Sequence, residues 1–375
     1  MIYRKLKPLI ESKLFKGKAI ILLGPRQTGK TTLLREITSN YKQELLWLDA
    51  DEPFVRNQLS GPNITDLKLL IGGHKILVID EAQQIRNIGL TLKLITDHLK
   101  SVQLLVSGSS ALELAEATSE PLTGRKFEYF LFPLSYQELH DHYGWPEEKK
   151  MLPHRLIYGA YPEIVTSVEN FRETLGLLAG SYLYKDIFKY KDLRRPELLE
   201  SLLQSLALQL GSEVSYNELS QMIGADAETV RRYVDLLEKT YVIFRLRSFS
   251  RNVRNELRKS HKIYFYDNGI RNALINNYNP IELRTDKGAL WENFLISERL
   301  KYLHYNGHYA NRYFWRTHQQ QEIGYIEERD GVLHAFEFKW SGKVRAKAPL
   351  TFSNNYPEHT FNVITQENYE SFLKE

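Results

Sequence analysis

The first third of the chain alternates short apolar runs with stretches of helical period, the arrangement of a mostly parallel sheet whose strands are joined by helices. The apolar runs predict strands at residues 19–23, 45–48, 76–79, 104–106 and 127–131. Helices fit between them at 30–38 and at 91–99, where Leu92, Ile95 and Leu99 share one face. Residues 141–153 carry Gly144, Pro146 and Pro153 among charges and read as a surface connection. A leucine-rich helical pattern runs from about 156 to 210, and two short helices with a basic, strand-like hairpin occupy 215–266. The last hundred or so residues return to mixed α/β, with aromatic-rich strands such as Ala335-Phe-Glu-Phe-Lys-Trp340. No internal repeat or low-complexity tract interrupts this order.

Composition narrows the class without changing that outline. At 375 residues, 42% hydrophobic and 26% charged, the chain has the balance of a folded globular protein and the length of two or three domains. The absence of cysteine excludes disulfides, cysteine-ligated zinc, thiolate nucleophiles and iron–sulfur clusters. The N-terminus, Met1-Ile-Tyr-Arg-Lys-Leu-Lys-Pro-Leu-Ile, lacks the continuous apolar stretch of a signal peptide, and the longest apolar run, 19–23, is far too short to span a bilayer. A cytoplasmic protein with no membrane partner is the expectation. The net charge of +4 is only mildly basic, so any nucleic-acid reading must rest on where the cations fall.

The sharpest chemical signal is Gly24-Pro25-Arg26-Gln27-Thr28-Gly29-Lys30-Thr31, a complete G-x-x-x-x-G-K-[ST] that follows a predicted strand and opens a predicted helix. In such a loop the backbone N–H groups and the helix N-terminus point at phosphate oxygens, and Thr32 extends that first helical turn. Gly29 permits close approach, Lys30 neutralises the β- and γ-phosphates, and the Thr31 hydroxyl ligates Mg²⁺. A second strand ends in Asp80-Glu81: Asp80 is the expected Mg²⁺ partner, and Glu81 the group that orients and activates the attacking water. A third ends in Ser107-Gly-Ser-Ser110, whose hydroxyls either sense the γ-phosphate or simply form a small-residue turn. Arg125, in Leu122-Thr-Gly124-Arg125, is either a surface cation or an arginine finger acting in cis or from a neighbouring subunit, as in a homo-oligomer. These residues together predict an ATPase that uses ATP and Mg²⁺; no guanine-reading Asn-Lys-x-Asp motif occurs.

Two further regions carry chemistry. Residues 215–224 and 226–238 give two capped helices around a glycine turn, the shape of a helix-turn-helix. Val230, Val234 and Leu237 are the expected core face, leaving Arg231 and Arg232 outside. The hairpin beyond carries Arg245, Arg247, Arg251, Arg254, Arg258, Lys259 and Lys262 against a single Glu256, a positive wing that can bind DNA phosphates without reading bases. The bland alternative is a small helical domain whose arginines are solvated or paired internally. Near the C-terminus, Glu337 and Lys339 share one face of a strand and either help to hold a divalent metal or form a salt bridge.

In their order, these motifs resemble the prokaryotic AAA-type P-loop ATPases that carry a winged-helix segment and a C-terminal domain of unknown function similar to the PD-(D/E)xK nucleases. The resemblance rests on Gly24–Thr31, Ile79-Asp-Glu-Ala-Gln83, Leu122-Thr-Gly-Arg125, Tyr158-Gly-Ala-Tyr-Pro162, Tyr264-Phe-Tyr-Asp-Asn-Gly269, Gly288–Phe294 and Glu337-Phe-Lys339. It implies an α/β fold in four parts: a P-loop ATPase domain (1–150), a helical linker or lid (151–212), a winged-helix-like domain (213–266) and a nuclease-like domain (267–375). It also implies ATP binding, hydrolysis and a connection to DNA. In the nuclease-like pattern an acid is expected in the strand Glu322-Ile-Gly324-Tyr325, yet position 324 is glycine. Glu292, Glu322, Glu337 and Lys339 are therefore read as the remnant of a metal site that has lost a carboxylate, with nuclease activity not expected. The expected function is coupling of nucleotide state to DNA or partner engagement. The rivals are an ATP-regulated nuclease and a protein–protein switch without DNA.

Overall fold

Strands β1 (Ala19–Leu23), β2 (Leu45–Asp49), β3 (Ile76–Asp80), β4 (Gln103–Gly108) and β5 (Lys126–Phe130) form one sheet in the order β2-β3-β4-β1-β5. Every neighbouring pair is parallel. The inner strands β1, β3 and β4 are buried along their whole length, which is why they read as unbroken apolar runs and not as alternating ones. The helix Lys30–Thr38 buries Leu33, Leu34 and Ile37, and the helix Ile88–His98 places Leu92 and Ile95 in a core with Ile21, Leu23, Leu77 and Ile79 of the sheet. All five strands lie within two residues of the positions read from the apolar pattern.

This computed structural model describes residues 1–109, 122–167, 169–188, 195–251, 261–317, 319–341 and 347–374. The chain divides into two units, Met1–Leu134 with Lys239–Tyr241, and Ser135–Glu238 with Val242–Glu375. Among the described residues, no helix is long and apolar enough to cross a membrane.

The second unit holds a seven-stranded sheet built from β6 (Glu213–Val214), β7 (Ile243–Ser248), β8 (His261–Phe265), β9 (Asn311–Arg316), β10 (Glu322–Arg329), β11 (Val332–Phe338) and β12 (His359–Ile364), in the order β12-β11-β10-β9-β7-β8-β6. The hairpin strand β7 pairs antiparallel with β8 and parallel with β9. Strands from both sides of residue 266 therefore share one sheet.

The stretch 141–153, expected as a surface connection, is instead helical: Tyr136–Tyr143 and Trp145–Tyr158 meet at Gly144. Pro146 falls in the first turn of the second helix, where its missing N–H leaves no bond unmade. Pro153 sits inside the helix and costs about 3 kcal/mol. Burial of Leu152, Leu156 and Ile157 offsets that cost.

Three of the motifs behind the family resemblance converge on a buried polar lattice in this unit. Asp267 accepts from Ala160 N (2.7 Å) and caps the helix Asn268–Leu274 at Ile270 N (3.2 Å). Asn268 Nδ2 donates to the carbonyls of Leu156 (3.3 Å) and Leu290 (3.0 Å), while Asn293 accepts from Phe265 N (2.8 Å) and donates to Phe265 O (3.1 Å). Buried amides that satisfy backbone groups on several elements fix one packing arrangement, which accounts for these motifs without any ligand.

His154 lies in an aromatic clamp, its ring 4.7 Å from both Tyr158 and Phe171, and neither ring nitrogen has a hydrogen-bond partner among the described residues. Burial, followed by the charge of Arg155, pushes its pKa down to about 4. The unfolded chain takes up this proton near pH 6.5 and the folded chain only near 4, so the neutral ring's contribution is complete above pH 6.5 and is lost progressively as the pH falls to 4. His154→Phe should flatten that limb of a plot of melting temperature against pH; an unchanged slope would assign acid sensitivity elsewhere.

Candidate functional site

The phosphate loop leaves the C-terminal end of β1 and enters the helix Lys30–Thr38. Gly24 is packed so closely that a Cβ there would lie 2.2 Å from the carbonyl oxygen of Leu131, and Gly29 adopts φ +91°, a conformation that favours glycine. Gly29 also occupies the N-cap position and offers no side chain, so the helix begins without a side-chain cap and its first N–H groups can serve an anion. Thr28 is buried, its hydroxyl donating to Pro25 O at 2.9 Å, and Arg26, Gln27, Thr31 and Thr32 are partly or fully exposed along the loop. The Lys30 ammonium is only 5% exposed and donates to the carbonyls of Gly24 (2.9 Å) and Pro25 (2.7 Å). The loop's own carbonyls thus hold a cation at the place where phosphate would need one.

Arg4, which no sequence pattern singled out, braces this loop. Its guanidinium is buried and donates to Thr28 O (2.8 Å) and to Phe132 O (2.6 Å). Nothing local marks it, because its partners lie 24 and 128 residues along the chain.

Asp80 ends β3 in a buried position, 4% exposed. Strand β4 lies between β3 and β1, so Ser107 at its C-terminal end stands between the acidic pair and the phosphate loop. The Ser107 hydroxyl donates to Asp80 Oδ1 and accepts from Glu81 N at 3.1 Å, which fixes its orientation. Gln83 Nε2 bridges the Glu81 carboxylate and Ser109 Oγ (2.9 Å), linking the two strand ends a second time. The sequence reading placed Gln83 in a motif without a role; Ser110 lies outside the described residues.

Residues 16–140 match the model of an AAA domain. Residues 149–280 and 287–373 match two families described as Domain of unknown function (DUF8612) and Domain of unknown function (DUF4143). An uncharacterized protein of Mycobacterium tuberculosis is 27% identical over 332 residues, covering 87% of this chain and 71% of its own. One from Haemophilus influenzae is 24% identical over 299 residues, covering 73% of this chain and 71% of its own. Among solved structures, Drosophila ORC bound to AT-rich DNA and Cdc6 is similar over 73% of this chain and 91% of that one, at 11% identity and a TM-score of 0.27. Pif1 helicase from Candida albicans is similar over 48% of each chain, at 13% identity and a TM-score of 0.27. Overlaps that loose assign no function. The AAA match and the loop geometry support an NTP-binding, hydrolysing role for the first unit.

Arg125 is placed differently from an arginine finger acting in cis. It precedes β5 at the N-terminal edge of the sheet, where its carbonyl accepts from Ala19 N at 2.9 Å. Five strand residues, roughly 16 Å, separate that edge from the phosphate loop. Its guanidinium donates to Asp97 Oδ1 at 2.6 Å, a bond that holds the Asp97 carboxyl below its ordinary range. Of the expected contacts, only one to a neighbouring subunit is compatible with this position.

The two helices expected to form a helix-turn-helix lie at Tyr216–Ile223 and Ala227–Lys239, with Val230, Val234 and Leu237 buried and Arg231 and Arg232 exposed. Arg231 lies 3.7 Å from Glu228, and Arg251 is exposed beside the Tyr356 ring at 5.5 Å. Arg254 and Arg258 fall outside the described residues. Two members of the expected basic wing are turned inward. The Arg245 guanidinium is bound by Asp235 (2.7 Å) and by Glu238 Oε2 (2.8 Å), its backbone N–H donates to Glu238 Oε1 (3.1 Å), and Lys262 is 3% exposed. Strand β7 is buried at four of its six positions and β8 at four of its five, so alternation along the hairpin does not say which cations meet water.

Lys262 lies among the residues of the expected nuclease-like remnant. Its ammonium lies 2.5 Å from Glu322 Oε1 and 3.5 Å from Glu292 Oε1, and the Tyr264 hydroxyl donates to Glu292 at 2.6 Å. Burial alone would lower the Lys262 pKa, but Glu292 and Glu322 outweigh it and hold it above the ordinary value. A Cβ at Gly324 would sit 3.6 Å from Glu292 Oε2, so a carboxylate at 324 would indeed have joined this group. Glu337 is paired with Lys339 at 2.6 Å, the salt bridge of the two sequence alternatives. Among the described residues, no group of three or more His, Asp or Glu is placed to hold a metal ion.

Proposed function

We propose that this chain is a Mg²⁺-dependent ATPase that couples nucleotide state to engagement of DNA or a protein partner. The observation that carries the proposal is the buried Lys30 ammonium, held by loop carbonyls beside an uncapped helix N-terminus and one strand away from the Asp80–Ser107 pair. That donor set fits a triphosphate and a hard cation. Residues 24–32 cradle the phosphates, Thr31 and Asp80 hold Mg²⁺, Ser107 positions Asp80, and Glu81, anchored by Gln83, orients the attacking water. When bound, Mg²⁺ neutralises charge on the phosphate oxygens. A role for Arg125 requires a homo-oligomer. Mg²⁺-dependent ATP hydrolysis, measured with and without duplex DNA, tests the reading; absence of nucleotide binding would refute it.

For DNA, the supporting feature is the exposed set Arg231, Arg232 and Arg251 together with Arg254 and Arg258. Neutralising Arg251, Arg254 and Arg258 together should weaken binding to every duplex about equally and reduce the salt slope by up to about 2.7, since phosphate contacts release counterions without reading bases. Wild-type affinity in the triple variant would favour the protein-switch reading, which gains support from the inward Arg245 and Lys262. In the same assay DNA should remain intact with Mg²⁺ or Mn²⁺, because Lys262 occupies the space between Glu292 and Glu322. Cutting that is lost in Glu337→Ala would restore the nuclease rival.

A further inference from the structure

We propose that Arg4 is a positioning residue that transmits occupancy of the phosphate loop to the backbone at Phe132, and through it to the segment that leads out of the first unit. The inference rests on the nucleotide site proposed above and extends it to regulation.

Two backbone segments clamp the loop. On one side, Leu131 N donates to Leu23 O at 2.8 Å, and the Leu131 carbonyl occupies the space a side chain at Gly24 would need. On the other, the single guanidinium of Arg4 joins Thr28 O, in the middle of the loop, to Phe132 O, two residues before the unit ends at Leu134. Both bonds are short and the side chain is 6% exposed, so little water competes for them. A planar fork that spans two carbonyls is rigid; movement of one acceptor either carries the other or breaks a charge-assisted bond.

Phosphate binding supplies the movement. The Lys30 ammonium now satisfies Gly24 O and Pro25 O, and Thr28 Oγ1 ties back to Pro25 O. Phosphate oxygens draw Lys30 and the loop N–H groups toward themselves, so the Gly24 and Pro25 carbonyls lose their cation and the 24–28 backbone must readjust. Thr28 O belongs to that backbone, and Arg4 is the side chain that connects it to Phe132. A brace that served only folding would need no acceptor inside the phosphate loop.

Amide exchange in the full chain, with and without saturating Mg·ADP, tests this. Wild type should show nucleotide-dependent protection at Leu131, Phe132 and Leu134, with rates changed on the order of tenfold, the size of one charge-assisted hydrogen bond. In Arg4→Met the nucleotide should still protect the loop at Gly29–Thr32 while the change at 131–134 disappears. Arg4→Lys, which can meet one carbonyl but not both, should also lose the change at 131–134 and serves if the methionine variant fails to fold. Protection at 131–134 that persists in either variant overturns the inference. Failure of the wild type to bind nucleotide overturns instead the site on which it rests.

Discussion

Replacing Lys30 with alanine should abolish measurable nucleotide binding at concentrations that saturate the wild type. The ammonium belongs to a buried residue of the loop itself, and two carbonyls orient it before any ligand arrives. Each charge-assisted bond it would make to phosphate is worth about 1.5–3 kcal/mol, so loss of two corresponds to a factor of at least about a hundred in affinity. Alanine also removes the donor that joins the Gly24 and Pro25 carbonyls, leaving Pro25 O only the Thr28 hydroxyl, which loosens the loop. Titration of a fluorescent ATP analogue into wild type and variant measures the difference. Equal affinities would remove the phosphate loop from the mechanism.

Glu81→Gln should have the opposite signature, with nucleotide affinity retained and turnover reduced by about 10²–10⁴-fold. Glu81 contributes to the surrounding structure through its backbone N–H, which bonds Ser107 Oγ, and through the carboxylate oxygen that accepts from Gln83. Glutamine keeps the backbone bond and an oxygen for Gln83, so the local geometry survives while the group able to polarise water is gone. Single-turnover hydrolysis of bound ATP separates the two effects. A variant that hydrolyses at the wild-type rate would pass the role to another residue.

What could be read from the chain follows from how local each determinant is. The strand positions were legible because a doubly covered parallel sheet writes itself as unbroken apolar runs, and the helix Lys30–Thr38 because a complete motif set its start. The helix Trp145–Tyr158 was not, since two prolines and a glycine signal a break when judged locally; tertiary burial of Leu152, Leu156 and Ile157 overrides them. The inward turn of Lys262 depends on Glu292 and Glu322, 30 and 60 residues away, and Arg4 depends on carbonyls that no side-chain pattern reports. Long-range polar pairing is invisible to a windowed reading, and it is there that the expected wing and the expected in-cis finger changed.

The order β2-β3-β4-β1-β5 also bears on how this site can vary. The phosphate loop and Asp80 follow strands, β1 and β3, that are not neighbours, and β4 between them sets those two strands roughly 10 Å apart. That width belongs to the backbone hydrogen-bond ladder and to no side chain, so drift in sequence can erase the groups at the strand tips without narrowing the gap they face. A descendant of this chain that lost Glu81 or Ser107 would keep a slot of the same width, able to hold a nucleotide long after it had ceased to cleave one.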